Sequence, residues 1–220
     1  MKRLQTEIQR LYLTLTEEPA RVRAAVLEVA TPADWEALGQ VWRGVQADLA
    51  LPAPAIAVSG TDGYQLWFSF AQALPAARAL ALLEGLRQRY LPALPAKRLK
   101  LWPSESPLLP PPRLAQTGQW AAFLAPDLAP VFADEPWLDT PPNEEGQADL
   151  LQRLRSIKAE ELQEALAQLG QVEPEAAPLA PAASLSSAAA ASDPRQFLLR
   201  VMNDESLAMS LRIEAAKALL

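Results

Sequence analysis

The sequence predicts an α+β fold: a small, mostly antiparallel sheet with helices packed on it, then a linker and a C-terminal helical hairpin. Three observations carry this. Over the first hundred residues, hydrophobic spacing switches between the helical and the strand period in the order α-β-α-β-β-α-β. Two of the strand-like runs flank a five-residue turn with two glycines, the mark of a β-hairpin. Residues 171–193 are Ala, Pro, Ser and Glu with almost no bulky apolar side chain. Such a stretch buries too little to fold, so it reads as a disordered linker between a domain at 1–170 and a tail at 194–220.

Each element follows from its own pattern. Leu4, Ile8, Leu11 and Leu15 make one stripe on a helix over 3–15, which Glu17-Glu18-Pro19 ends. Arg23–Ala30 reads as a short buried strand. Thr31-Pro32-Ala33-Asp34 reads as a helix start, with Thr31 as cap and Pro32 in the first turn. Trp35, Leu38, Trp42, Val45 and Leu49 give the stripe of the helix that follows, and Pro52 and Pro54 stop it. Trp35 and Trp42 are expected in the core. Ala55–Val58 and Tyr64–Phe70 are the hairpin strands around Ser59–Gly63. Tyr64, Leu66, Phe68 and Phe70 fall on one side of the second strand, and Gln65, Trp67 and Ser69 on the other.

Pro75 opens the next helix, with Leu80, Leu83, Leu86 and Tyr90 as its stripe. Arg98–Trp102 alternates like a strand, and two or three helices are expected on one face of the sheet. Residues 103–113 hold five prolines and read as an extended connector. The stretch around Trp120, Phe123, Phe132 and Trp137 reads as irregular turns covering the sheet. Residues 147–169 read as one long helix with Leu150, Leu151, Leu154, Ile157, Leu162, Leu166 and Leu169 on its face and Gly170 at its end.

Composition excludes several chemistries. Among 220 residues there is no Cys and no His, so disulfides, Cys/His zinc sites and Ser-His or Cys-His nucleophile pairs are out. The first hundred residues carry 12 Lys and Arg against 9 Asp and Glu; residues 101–172 carry 4 against 11, and the remainder 4 against 6. No strongly basic footprint for duplex DNA is present. The mildly basic first part leaves room for a phosphate or a short nucleic acid, so nucleic acid stays a weak partner expectation. No apolar run reaches the ~20 residues of a membrane span, and Met1–Glu7 lacks the apolar part of a signal peptide. The expected location is the cytoplasm. The acidic stretch Asp134, Glu135, Asp139, Glu144, Glu145 and Asp149 lacks the spacing of a calcium loop and reads as solvated surface.

The usual phosphate-binding glycine motifs are absent. Backbone amides around Gly60 and Gly63 offer a small anion nest, although two glycines also simply turn a hairpin. Ser59-Gly60-Thr61-Asp62-Gly63-Tyr64-Gln65-Leu66-Trp67, with a strand on each side, resembles the Ser-Gly-x-x-Gly-x-His-x-Trp signature of the archaeo-eukaryotic primase-polymerase superfamily. The resemblance extends over residues 23–102. It implies that Ser59, Gly60, Gly63 and Gln65 lie where that family contacts a nucleotide's phosphates. It also implies that Glu28, on the upstream strand, lies where the family places the first of its paired metal-binding acids. The departures are large. The acid pair appears as Glu28-Val29-Ala30, the histidine as Gln65, and the third acidic strand as Arg98-Leu99-Lys100-Leu101-Trp102. Two-metal phosphoryl transfer needs several acidic ligands, and one glutamate does not supply them. The resemblance therefore implies a scaffold without catalytic residues, a bound metal or a cofactor.

The tail Asp193–Leu220 is similar to a helical segment of small phage terminase subunits. Phe197 and Val201 lie four apart, as do Leu207 and Leu211, each pair on one side of a short helix. Fewer than thirty residues make no core alone, so this tail is expected to dock, on its own domain, on a second copy or on a partner protein. The leading expectation is a non-enzymatic, cytoplasmic binding or assembly protein on a degenerate primase-like scaffold. The rivals are a metal-dependent nucleotidyl transferase with an unusual ligand set and a phage-type DNA-packaging adaptor.

Overall fold

A computed structural model describes residues 2–13, 21–103 and 108–171. The linker at 171–193 beyond its first residue, and the tail with Phe197, Val201, Leu207 and Leu211, lie outside the described residues. The first element is α1 (Arg3–Tyr12), then β1 (Arg21–Ala30), α2 (Trp35–Ala47), β2 (Ala55–Val58), β3 (Gly63–Pro75), α3 (Ala76–Tyr90) and β4 (Leu99–Trp102). β5 (Arg113–Leu114), β6 (Trp120–Leu124), α4 (Glu144–Gln152) and α5 (Ala159–Gln168) follow. The strands form one six-stranded sheet in the order β4-β1-β3-β2-β6-β5. Every neighbouring pair is antiparallel. β1 and β2 are joined through α2 with β3 between them; β3 and β4 are joined through α3 with β1 between them. Two interlocked split β-α-β units of this kind make the ferredoxin-like arrangement, which β6 and β5 extend past β2. The expected α+β class is thus the observed one.

Alternation along the strands sorts the core into two layers. Leu27, Val29, Tyr64, Leu66, Phe68 and Phe70 meet Leu38, Val41 and Val45 of α2, Leu82, Leu83 and Leu86 of α3, and Leu162 and Leu166 of α5. Val26, Ala57, Trp67 and Phe123 face the other way, onto Leu4, Ile8, Leu11 and Tyr12 of α1 and Leu151 of α4. The helices therefore cover both sheet faces, not one. Trp67, on the far side of β3 from Leu66, explains why. An aromatic so large is costly to leave in water, and α1, too short to hold itself as a helix, gains its stability by covering it. Tyr12 stacks on Phe123 at 5.9 Å and meets Trp67 edge-on at 5.3 Å.

Four local readings are corrected by the tertiary structure. The cap of α2 is Asp34, whose side chain accepts from the Ala37 amide at 2.9 Å, and not Thr31. The Thr31 hydroxyl instead donates to Asp62 at 2.6 Å, and residues 31–33 turn the chain before the helix begins. The α3 face pivots onto Ala79, Leu82, Leu83 and Leu86, with Leu80 only half-buried. Residues 120–124 form a strand rather than irregular turns: β6 pairs with β2, Ile56 opposite Leu124. Its Trp-Ala-Ala-Phe-Leu run has too much alanine for its own pattern to announce a strand.

The long helix of 147–169 is two helices with a break at 153–158. There the Ile157 amide donates to Ser69 O and its carbonyl accepts from the Ala71 amide, both at 2.8 Å, past the end of β2. The break carries the chain from one sheet face to the other, since α4 packs with α1 and α5 with α3. One straight helix does neither job. The expected glycine end is found: Gly170, at φ +66°, lets the Gln171 amide reach Leu166 O and its own amide reach Ala167 O. Between α2 and α3, Gly44 lets the Tyr90 ring approach so closely that a Cβ there would sit 2.4 Å from it.

Candidate functional site

The register of the sheet sets three polar side chains in a row. Glu28 of β1 lies opposite Gln65 of β3 on one side and opposite Lys100 of β4 on the other. All three point to the α1 side, because each is flanked in sequence by residues of the opposite layer. Gln65 donates to Glu28 Oε2 at 2.5 Å, and Lys100 donates to Glu28 Oε1 at 2.8 Å. The Trp67 indole N–H donates to Gln65 Oε1 at 2.9 Å. The four form one connected chain in which Glu28, Gln65 and Trp67 are buried.

A buried carboxylate is tolerated only when paired and hydrogen-bonded. Here each Glu28 oxygen has its own donor. Lys100 is half exposed and carries the cation out to solvent. Burial works against the Lys100 charge, but the hydrogen bond to Glu28 and the charges of Glu28 and Asp62 outweigh it and hold its pKa above the ordinary lysine value. The Asp62 carboxyl lies below its usual range because Thr31 donates to it, with help from Lys100 and against partial burial.

The structure brings Glu28 and Gln65 together. The position two residues after Glu28 is Ala30, buried in the sheet. The third strand contributes Lys100, a cation where the resembled family has an acid. Among the described residues, no three Asp or Glu side chains gather where they would hold a metal ion.

The glycine turn is built differently from a phosphate cradle. Ser59 is buried, and its Oγ accepts from the Thr61 amide at 3.1 Å and the Gly63 amide at 3.0 Å. The Gly60 amide donates to Pro136 O at 3.2 Å. The amides of Gly60, Thr61 and Gly63 therefore already have acceptors within the protein. Gly60 is required by geometry: its φ is +79°, and a Cβ there would sit 2.7 Å from the Ala121 amide nitrogen. Gly60 serves the fit between this turn and the β5–β6 hairpin, while Gly63 lies against Glu28, Val29 and Ala30 of β1.

Two participants were not read from the sequence. Lys100 was legible only as a strand residue; its alternation with Leu99 and Leu101 gave its face but not its partner. Gln147 of α4 is buried, and its amide pairs twice with the backbone of Phe123, accepting from its N–H at 2.7 Å and donating to its carbonyl at 2.9 Å. The acidic residues at 144–149 hold α4 to α1: Glu144 pairs with Lys2, and Glu145 and Asp149 with Arg3. Trp67 lies under α1 and offers no open face for stacking a base.

A scan against protein-family models matched none, and a search of curated proteins found no match. No helix among the described residues is long and apolar enough to cross a membrane.

Proposed function

We propose that this chain is a non-catalytic, cytoplasmic binding or assembly protein built on a degenerate primase-like scaffold. The observation that carries the reading is the Lys100–Glu28–Gln65 row. Where two-metal chemistry would need acids free to bind cations, the one glutamate has both oxygens engaged by protein donors. A lysine ammonium replaces an ion as the countercharge, so the row holds the sheet together and needs no cofactor. The interaction role falls to residues 194–220, through Phe197, Val201, Leu207 and Leu211, with a second copy of the chain as the first partner to test.

Template-directed nucleotide extension in magnesium or manganese tests the first half. No incorporation is expected; incorporation that disappears in Glu28→Ala would overturn the reading. Light scattering tests the second half. The full chain is expected to self-associate and Phe197→Asp to return it to a monomer, whereas identical masses for the two would remove self-association through this tail.

A further inference from the structure

At the end of the sheet where β2 begins and β6 ends, the two helical layers do not close over the strands. A groove of about 330 Å³ remains there. Trp42 of α2, Phe123 of β6, and Leu150 and Leu154 from α4 and the turn after it contribute apolar walls. The Trp42 indole N–H is already used, donating to Pro54 O at 3.1 Å, so its ring presents only apolar surface. The charged side chains of the lining are Asp127 and Arg153, both exposed. Among the described residues neither has a side-chain hydrogen bond or an ion pair.

We propose that this groove binds a free apolar α-amino acid. Concave, mostly apolar sites with a few polar groups at fixed places are the usual form of small-molecule pockets. The volume equals that of roughly eleven water molecules in the liquid, enough for a branched or aromatic side chain with its backbone atoms. The apolar side chain lies against Trp42, Phe123, Leu150 and Leu154. The carboxylate meets the Arg153 guanidinium and the ammonium meets Asp127, each as a charge-assisted hydrogen bond. A ligand with the carboxylate alone pairs with Arg153 but brings a second negative charge near Asp127 with no ammonium to match it. A ligand with the ammonium alone leaves Arg153 in the same position. Charge complementarity thus selects a zwitterion over either.

The test uses the full chain and three probes of one side chain: L-phenylalanine, 3-phenylpropanoate and 2-phenylethylamine. The Trp42 indole N–H resonance, assigned with Trp42→Phe, reports occupancy in ¹H–¹⁵N spectra. L-Phenylalanine is expected to shift it saturably and to bind about tenfold more tightly than either singly charged probe. Arg153→Gln and Asp127→Asn are each expected to weaken that binding about fivefold without changing the thermal melt, because both side chains are exposed. Equal affinities for the three probes, affinities unmoved by both substitutions, or no saturable shift of the Trp42 resonance would overturn the proposal.

Discussion

Glu28 would be the most expensive side chain in the sheet if it stood alone. It is buried, and its charge is matched by one half-exposed lysine on one side and one neutral amide on the other. Lys100→Met removes the cation and leaves the carboxylate with Gln65 only. The expected cost is about 1–3 kcal/mol, below that of a fully buried pair because solvent reaches Lys100 and screens the interaction. Adding Glu28→Gln removes the orphaned charge and is expected to restore most of the loss; urea melts of the single and double variants measure both. Asp62 gives a pH dependence. Its native pKa is depressed, so its contribution is fully present above the ordinary carboxylate pKa of 3.8 and is lost as pH falls through the lower native value. Asp62→Asn is therefore expected to be less stable than the parent at pH 7, and the gap between their melts is expected to close in strong acid. Lys100 acts in the opposite direction. Its raised pKa gives stability that is complete below 10.5 and is lost as pH climbs above it.

Between elements, a side chain can do the work of a strand. β5 is two residues long, and past its end the backbone of Phe123 is met by the Gln147 amide from α4. Gln147→Leu keeps similar bulk but strands a buried N–H and a buried carbonyl. The expected cost is about 2–6 kcal/mol, since each unpaired backbone group costs about 1–3 kcal/mol. Native-state hydrogen exchange at the Phe123 amide is expected to speed up more than exchange in β1; equal acceleration in both would show a global effect instead. The turn at 153–158 does a similar job for β3. Ile157 completes its backbone pairing and fills the core from the same position, which is why an apolar residue within a helical stripe ends up outside any helix.

Over the described residues, two apolar layers pack on opposite faces of one sheet. Residues 1–171 are therefore expected to fold without the tail and to give a single cooperative thermal transition. Loss of that transition in the truncated chain would mean that residues 172–220 belong to the core. The proposed roles divide along the same line. Interaction is assigned to Phe197, Val201, Leu207 and Leu211, and small-molecule binding to the groove at the end of β2 and β6.

Much of this architecture was legible before any coordinates. Helical spacing placed α1, α2 and α3, alternation sorted both faces of β3, and two glycines between strand-like runs placed the hairpin of β2 and β3. These features are local: period reports which side of an element is buried, and turn residues report where the chain reverses. Tertiary structure decided the rest, because pairing between distant strands leaves little trace in the spacing of either one. It set Lys100 opposite Glu28, gave the alanine-rich β6 its place beside β2, and broke the leucine stripe of 147–169 at Ile157. That stripe looks continuous because both halves are apolar, yet they face different layers. Only the sheet between them, with one open backbone position on β3, fixes where the chain must leave one helix and begin the next.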